Sequence, residues 1–161
     1  MKVVGIDPGT AACGYGIVHE SEGRLQALGH GVWTTAPSTA IELRLKTIFD
    51  GVTALIAEHE PDAVVLEESF VGADARTALS VGQARGAVLV ACAAAGVACA
   101  EYAPARVKQT VCGYGRAEKE QVARMVNVLL GSREKRSNHA SDALAVALCH
   151  LLASPLLQVS A

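Results

Sequence analysis

Three carboxylates and one imidazole draw attention by where they fall. Asp7 closes the β-branched run KVVGID, Glu67 closes AVVLE, and Asp142 opens the apolar run DALAVAL with His139 three residues ahead of it. A buried strand normally excludes a carboxylate, because desolvating the charge costs several kcal/mol unless a cation or hydrogen bonds compensate. In an α/β sheet, strand ends are where ligand sites lie, and positions i and i+3 of a helix share a face. Three acids and an imidazole converging from separate segments would form a negative pocket suited to a divalent cation. Oxygen donors suit Mg²⁺, and an imidazole tilts the preference toward Mn²⁺. Hard ions held by few carboxylates complete their shells with water and phosphate, which points to phosphoryl chemistry. Each residue alone has a plainer reading. Asp7 could cap the turn at Pro8-Gly9, Glu68 could be the ligand in place of Glu67, Asp142 suits the positive end of a helix, and His139 could be a surface or capping histidine. The chemistry is carried by their joint occurrence.

The elements that must position these groups follow from periodicity. KVVGID, CGYGIVHE and RLQALGHGVWTT are three successive strands, the last two separated by the turn SEGR, and they predict an antiparallel meander. TAIELRLKTIFDGVTALIAEH carries apolar residues at helical spacing, with Pro37-Ser38 ahead of it and Thr39 and Glu42 spaced as a capping box. AVVLEE is a buried strand, TALSVGQARGAVLVACAAAG a helix with small residues on every side, and VACAEY another buried strand. ARVKQTVCG and KEQVARMVNVLLG read as shorter helices around a Gly-Tyr-Gly break, and SDALAVALCHLLA as the last helix. The order βββ, α, β, α, β, α, α predicts an α/β layer structure: a mixed five-stranded sheet, antiparallel in its first three strands and parallel thereafter, flanked by helices. One domain is expected over 1–153, followed by a frayed tail over 154–161.

Composition sets outer bounds. A chain of 161 residues that is 51% apolar is long enough to bury a core of Val, Leu, Ile and Ala. Its five cysteines form an odd set without a C-x-x-C pair, so neither a disulfide framework nor a thiolate zinc site is expected. No secretory leader is evident, and the apolar run from Ala87 is shorter than the ~18–20 residues that span a bilayer, so a soluble cytoplasmic protein without a membrane partner is expected. The net charge of −2 hides a polarity: residues 1–75 hold eleven acidic and four basic side chains, whereas 104–136 hold eight basic and three acidic. One region could gather metal ions and the other a polyanion; a solvated helical face is the plain alternative.

GIDPGT…GYGI, VVLEESFVGADARTALSVGQARG, EYAPARVKQTVCGYGRAEKEQV and HASDALAVALCH, in that order, resemble the RuvC family of Holliday-junction resolvases over nearly the whole chain. The resemblance implies an RNase H-like fold and an endonuclease that resolves four-way DNA junctions by paired, symmetric cleavage during recombination and repair. It also implies a homodimer, dependence on Mg²⁺ or Mn²⁺ with two ions per site, and a branch-migration complex as partner. Carried over by position, Asp7, Glu67 and Asp142 match the catalytic carboxylates. His139 falls where many members have aspartate and some histidine, as metal ligand, base or tuning group. Lys108 and Lys119 match basic positions near the cleaved DNA, with Lys119 placed to neutralise charge on the phosphate, and Phe70 matches an aromatic that stacks on bases at the crossover. Arg76 and Arg85 are candidate phosphate contacts or structural contacts, and Arg106, Arg116 and Arg124 are weaker candidates. Two equivalent cuts need an isologous dimer, and the helix from Thr77 to Ala95 is the candidate for part of its interface. GID-x-GT also opens sugar kinases and other actin-like ATPases, but a second domain and phosphate loop are lacking. An RNase H acting on RNA:DNA hybrids and a non-catalytic junction-binding module are the remaining alternatives.

Overall fold

A computed structural model describes residues 1–68 and 75–153 of the chain. Phe70 and the tail 154–161 lie outside the described residues. Five strands, β1 (Lys2–Asp7), β2 (Ala12–Ser21), β3 (Arg24–Thr34), β4 (Ala63–Glu67) and β5 (Ala98–Tyr102), form one sheet in the order β3-β2-β1-β4-β5. The first three pair antiparallel as a meander, and β1, β4 and β5 run parallel, as the element order implied. Five helices are described: α1 (Ile41–His59), α2 (Ala75–Ala95), α3 (Pro104–Cys112), α4 (Lys119–Leu129) and α5 (Asn138–Leu152).

The sheet separates two apolar cores. Val3 and Val65 pack with Val107, Val122, Val126 and Leu144 from α3, α4 and α5, whereas Val4, Ile6, Val64 and Leu66 pack with α1 and α2. This is the period-2 alternation of a strand buried on both faces. It has a direct chemical result. Asp7 continues the Val3–Gly5 side of β1 and Glu67 the Ala63–Val65 side of β4, so both acids at the strand ends are sent toward α5. Helix α5 lies unusually close to the sheet there, and glycines allow it. A Cβ on Gly5 would sit 1.9 Å from the carbonyl oxygen of Ala143, and one on Gly14 2.2 Å from that of His139. Gly14 pairs with Asp7 in the ladder, so the first turn of α5 rests over the end of β1.

One sequence expectation is corrected. Thr39 and Glu42 do not form a capping box: Thr39 closes a turn onto the Ala36 carbonyl at 3.0 Å, and α1 is capped by Ala40, whose carbonyl accepts from the amides of Leu43 and Arg44. Helix α2, whose 21 residues include Arg76 and Arg85, is the one helix among the described residues long and apolar enough, by length and composition alone, to cross a membrane. Only Ala84, Val88, Ala91 and Cys92 of α2 are buried, so the described residues leave much of its apolar surface uncovered.

Candidate active site

The ends of β1 and β4, the loop after β1, and the first turns of α4 and α5 enclose an open groove of about 460 Å³. Asp7, Glu67, Lys119, His139 and Asp142 all line it. Ser137 caps α5 by accepting from the amide of Ala140 at 3.2 Å, which starts the helix one turn earlier than its apolar run and brings His139 onto it. The i, i+3 pair His139 and Asp142 therefore faces the groove together. His139 Nδ1 hydrogen-bonds Asp7 Oδ2 at 2.7 Å, joining residues 132 positions apart. Lys119, at the first position of α4, reaches Asp142 Oδ2 at 3.3 Å. A capping box sets that helix end: the Glu118 side chain accepts from the Gln121 backbone, and Gln121 accepts from the Glu118 amide at 2.9 Å. Lys108 joins Glu67, Lys119 and Asp142 around a smaller cleft of about 160 Å³ on the α3 side.

The electrostatics are those of carboxylates crowded out of water. Burial raises the Asp7 carboxyl above its ordinary value; the His139 hydrogen bond opposes this and the neighbouring Asp142 adds to it. Glu67 is pushed up to about 7, chiefly by burial and then by Asp142 and Asp7, with Lys119 and Lys108 opposing. Lys119 is raised by the facing Asp142. Glu68, the alternative ligand, is exposed and does not line the groove; its amide donates to the Tyr102 carbonyl at 2.8 Å.

The donor set, three carboxylates that disfavour one another's charge together with an imidazole, fits a divalent cation. Among the described residues, no three His, Cys, Asp or Glu groups already stand in ion-binding geometry. Asp7 is turned to His139 and Asp142 to Lys119, so the expected convergence holds for position around one groove and not for side-chain orientation.

A testable consequence concerns stability. The folded protein retains a proton on Glu67 that the unfolded chain gives up near the ordinary value of 4.5, so stability falls as pH rises from there through about 7. Glu67→Gln carries no such cost. In metal-free buffer at about pH 8 it should be more stable than the parent by on the order of 1–2 kcal/mol, allowing for partial solvent screening. The gap should close below pH ~4.5. Denaturation curves across this range check it, and a pH-independent gap would remove burial as the cause.

The other sequence candidates separate. Arg85 Nε donates to Glu101 Oε1 at 3.0 Å and its Nη2 to Oε2, so its fork is engaged by β5, the structural of the two roles left open. Arg76 lies in the exposed first turn of α2, and Arg106, Arg116 and Arg124 are exposed on α3, the α3–α4 loop and α4. Sequence reading missed the support behind the groove. Thr10, 4% exposed, meets Ser80 of α2 through its hydroxyl and accepts from Arg44 Nη2 at 3.1 Å. Arg44 Nε donates to Thr35 Oγ1 at 2.9 Å, and Thr35 donates to the Thr10 carbonyl at 2.5 Å. The only local signal was a threonine directly after the turn that follows Asp7.

A family model described as "Crossover junction endodeoxyribonuclease RuvC" matches residues 3–150. The chain is 48% identical over 152 residues to the crossover junction endodeoxyribonuclease RuvC of Syntrophomonas wolfei, covering 94% of this chain and 88% of that protein. It is 50% identical over 150 residues to that of Heliobacterium modesticaldum, covering 92% and 93%. Among solved structures it is similar to Thermus thermophilus RuvC in complex with a Holliday junction substrate, with a TM-score of 0.89, 40% identity, and coverage of 94% and 93%.

Proposed function

Given that the chain belongs to the RuvC family of crossover junction endodeoxyribonucleases, RNase H-like enzymes that resolve Holliday junctions, we propose that the carboxylate groove is where this protein cuts. The observation that supports this reading is the meeting of Asp7, Glu67, His139, Asp142 and Lys119 around one groove from four separate elements. Asp7, Glu67, Asp142 and His139 would hold one or two Mg²⁺ or Mn²⁺ ions, which when bound supply an activated water and neutralise charge on the attacked phosphate.

The chain's own residues do the rest. Asp7 fixes the His139 ring through Nδ1, which leaves Nε2, without a hydrogen-bond partner among the described residues, for the groove. Lys119 exchanges Asp142 for the phosphate and offsets charge as the bond to the 3′ oxygen breaks. Lys108 holds the neighbouring backbone from the α3 side, with Arg76 and Phe70 as further DNA contacts and Arg85 as the residue that ties α2 to β5.

Paired cuts need two copies. On α2, Leu79 and Val90 are 64% and 60% exposed, and the spacing 79, 82, 86, 90 places Gly82 and Gly86 between them on one face. Among the described residues, a Cβ added at either glycine meets nothing within 4 Å, so another backbone can come close. We assign this face to a second copy of the chain rather than to lipid. A branch-migration complex would meet the dimer on the same DNA, in the cytoplasm.

The test is a synthetic four-way junction labelled on opposed strands. Symmetric nicks that require Mg²⁺ or Mn²⁺ and vanish with chelator are expected; a junction bound but left whole with either ion would defeat the assignment.

A further inference from the structure

Between α4 and α5 runs the segment LGSREKRS, 130–137, which the reaction described above does not use. Its centre is a buried arginine. The Arg136 side chain is 2% exposed, and its Nε is buried without a hydrogen-bond partner among the described residues. Nη1 donates to Asn127 Oδ1, and Nη2 donates to Ser132 Oγ at 3.0 Å and to Glu134 Oε2 at 3.2 Å. The backbone is drawn into the same cluster. The Ser132 amide donates to the Asn127 carbonyl at 2.9 Å, the Glu134 amide to Ser132 Oγ at 3.1 Å, and Asn127 Nδ2 to the Glu134 carbonyl at 3.3 Å. His30 of β3 adds a contact to Glu134 Oε2 at 3.2 Å and, with Arg136 behind it, holds that carboxyl below its ordinary value.

A connection knotted in this way is a fixed element and not a loose tether. Here Ser132, Glu134 and Arg136 bond to one another, while Arg133 and Lys135 are exposed and make no hydrogen bond or ion pair among the described residues. The segment's one acid is thus matched by His30 and Arg136, and two unmatched cations face outward.

Their place relative to the groove is constrained by the chain. Ser137 caps α5, and Asn138 and His139 line the groove, so Lys135 lies four residues from His139 and its Cα no more than about 14 Å away. That limit corresponds to at most roughly four base-pair rises of ~3.4 Å. The segment is fastened to β3 at one edge of the sheet, whereas Lys108 lies beside Glu67 of β4. Three interstrand spacings, about 14 Å, separate those strands on the face covered by α3, α4 and α5. Cations at both sides of the groove suit a duplex laid across it.

We propose that Arg133 and Lys135 form a second phosphate-binding site, which holds the duplex arm leaving the groove along the β3 edge, and that Arg136 is the positioning residue that presents them. This rests on the groove being the DNA site. The test uses the full chain and a four-way junction in chelator, where binding proceeds without cleavage. Arg133→Ala/Lys135→Ala should raise the junction Kd about tenfold at moderate salt. It should also make the slope of log K against log salt shallower by about 2, one counterion term for each lost contact. With metal restored, the single-turnover rate at saturating junction should stay within about twofold of the parent. Arg136→Met keeps both cations and frees the segment, and should lose part of the same slope. Unchanged affinity and slope in the alanine pair would overturn the proposal, as would a saturating rate that falls in step with binding. A parent protein that does not bind junctions would sink the DNA reading of the groove instead; a binding parent beside an unaffected variant sinks only the second site.

Discussion

Asp7→Asn should lower the single-turnover rate of junction cleavage by on the order of a thousandfold or more, with junction affinity changed by no more than a few fold. Asparagine matches the shape of aspartate and can still bond the imidazole of His139, but it lacks the charge a divalent ion needs. Losing the charge stabilisation one such carboxylate supports is worth several kcal/mol in the transition state, and about 4 kcal/mol is a thousandfold in rate. The substitution should not harm the fold. Asp7 is a carboxylate whose burial raises its pKa, so neutralising it relieves a cost of folding. Thermal denaturation, binding in chelator and a single-turnover time course separate the possibilities. If affinity and melting temperature collapse together with the rate, Asp7 belongs to the folding of the β1 turn and not to catalysis.

Leu79→Glu combined with Val90→Glu should convert the protein to monomers at micromolar concentration. Both positions are largely exposed on the isolated chain, so charge there costs little in folding; in a covered apolar seam each would leave an unpaired carboxylate. Apolar anchors at the centre of an interface are commonly worth about 2 kcal/mol or more each, so a loss on the order of a thousandfold in dimer affinity is expected from the pair. Sedimentation should report the monomer mass, and paired incision of opposed strands should give way to single nicks. A variant that sediments as the parent does, or a parent that is itself monomeric at that concentration, would take the interface away from α2.

Much of this protein was legible as a string. The alternation in KVVGID and AVVLE and the helical spacing in α1 and α5 depend on neighbours within one or two turns. The element order alone then restricted the sheet to a meander followed by parallel crossovers. The strand-end carboxylates were visible for the same reason: an acid closing an apolar run is a local anomaly. The capping box misread at Thr39 shows how far such reasoning carries, since a turn closed by the Ala36 carbonyl moved the helix start by a residue or two.

Relations between distant groups were not legible. Nothing near Asp7 in sequence indicates that its carboxylate meets His139, because that contact exists only where α5 crosses β1 at Gly5 and β2 at Gly14. Nothing near Arg85 foretells Glu101, and nothing in SREKRS says that Arg136 turns inward while Arg133 and Lys135 turn out. Local propensity and periodicity determined which segments became strands and helices and which residue types closed them. Partners, burial, charge perturbation and the uncovered face of α2 were decided by packing, because those energies depend on which surfaces the folded chain brings within a few ångströms and which it leaves to water.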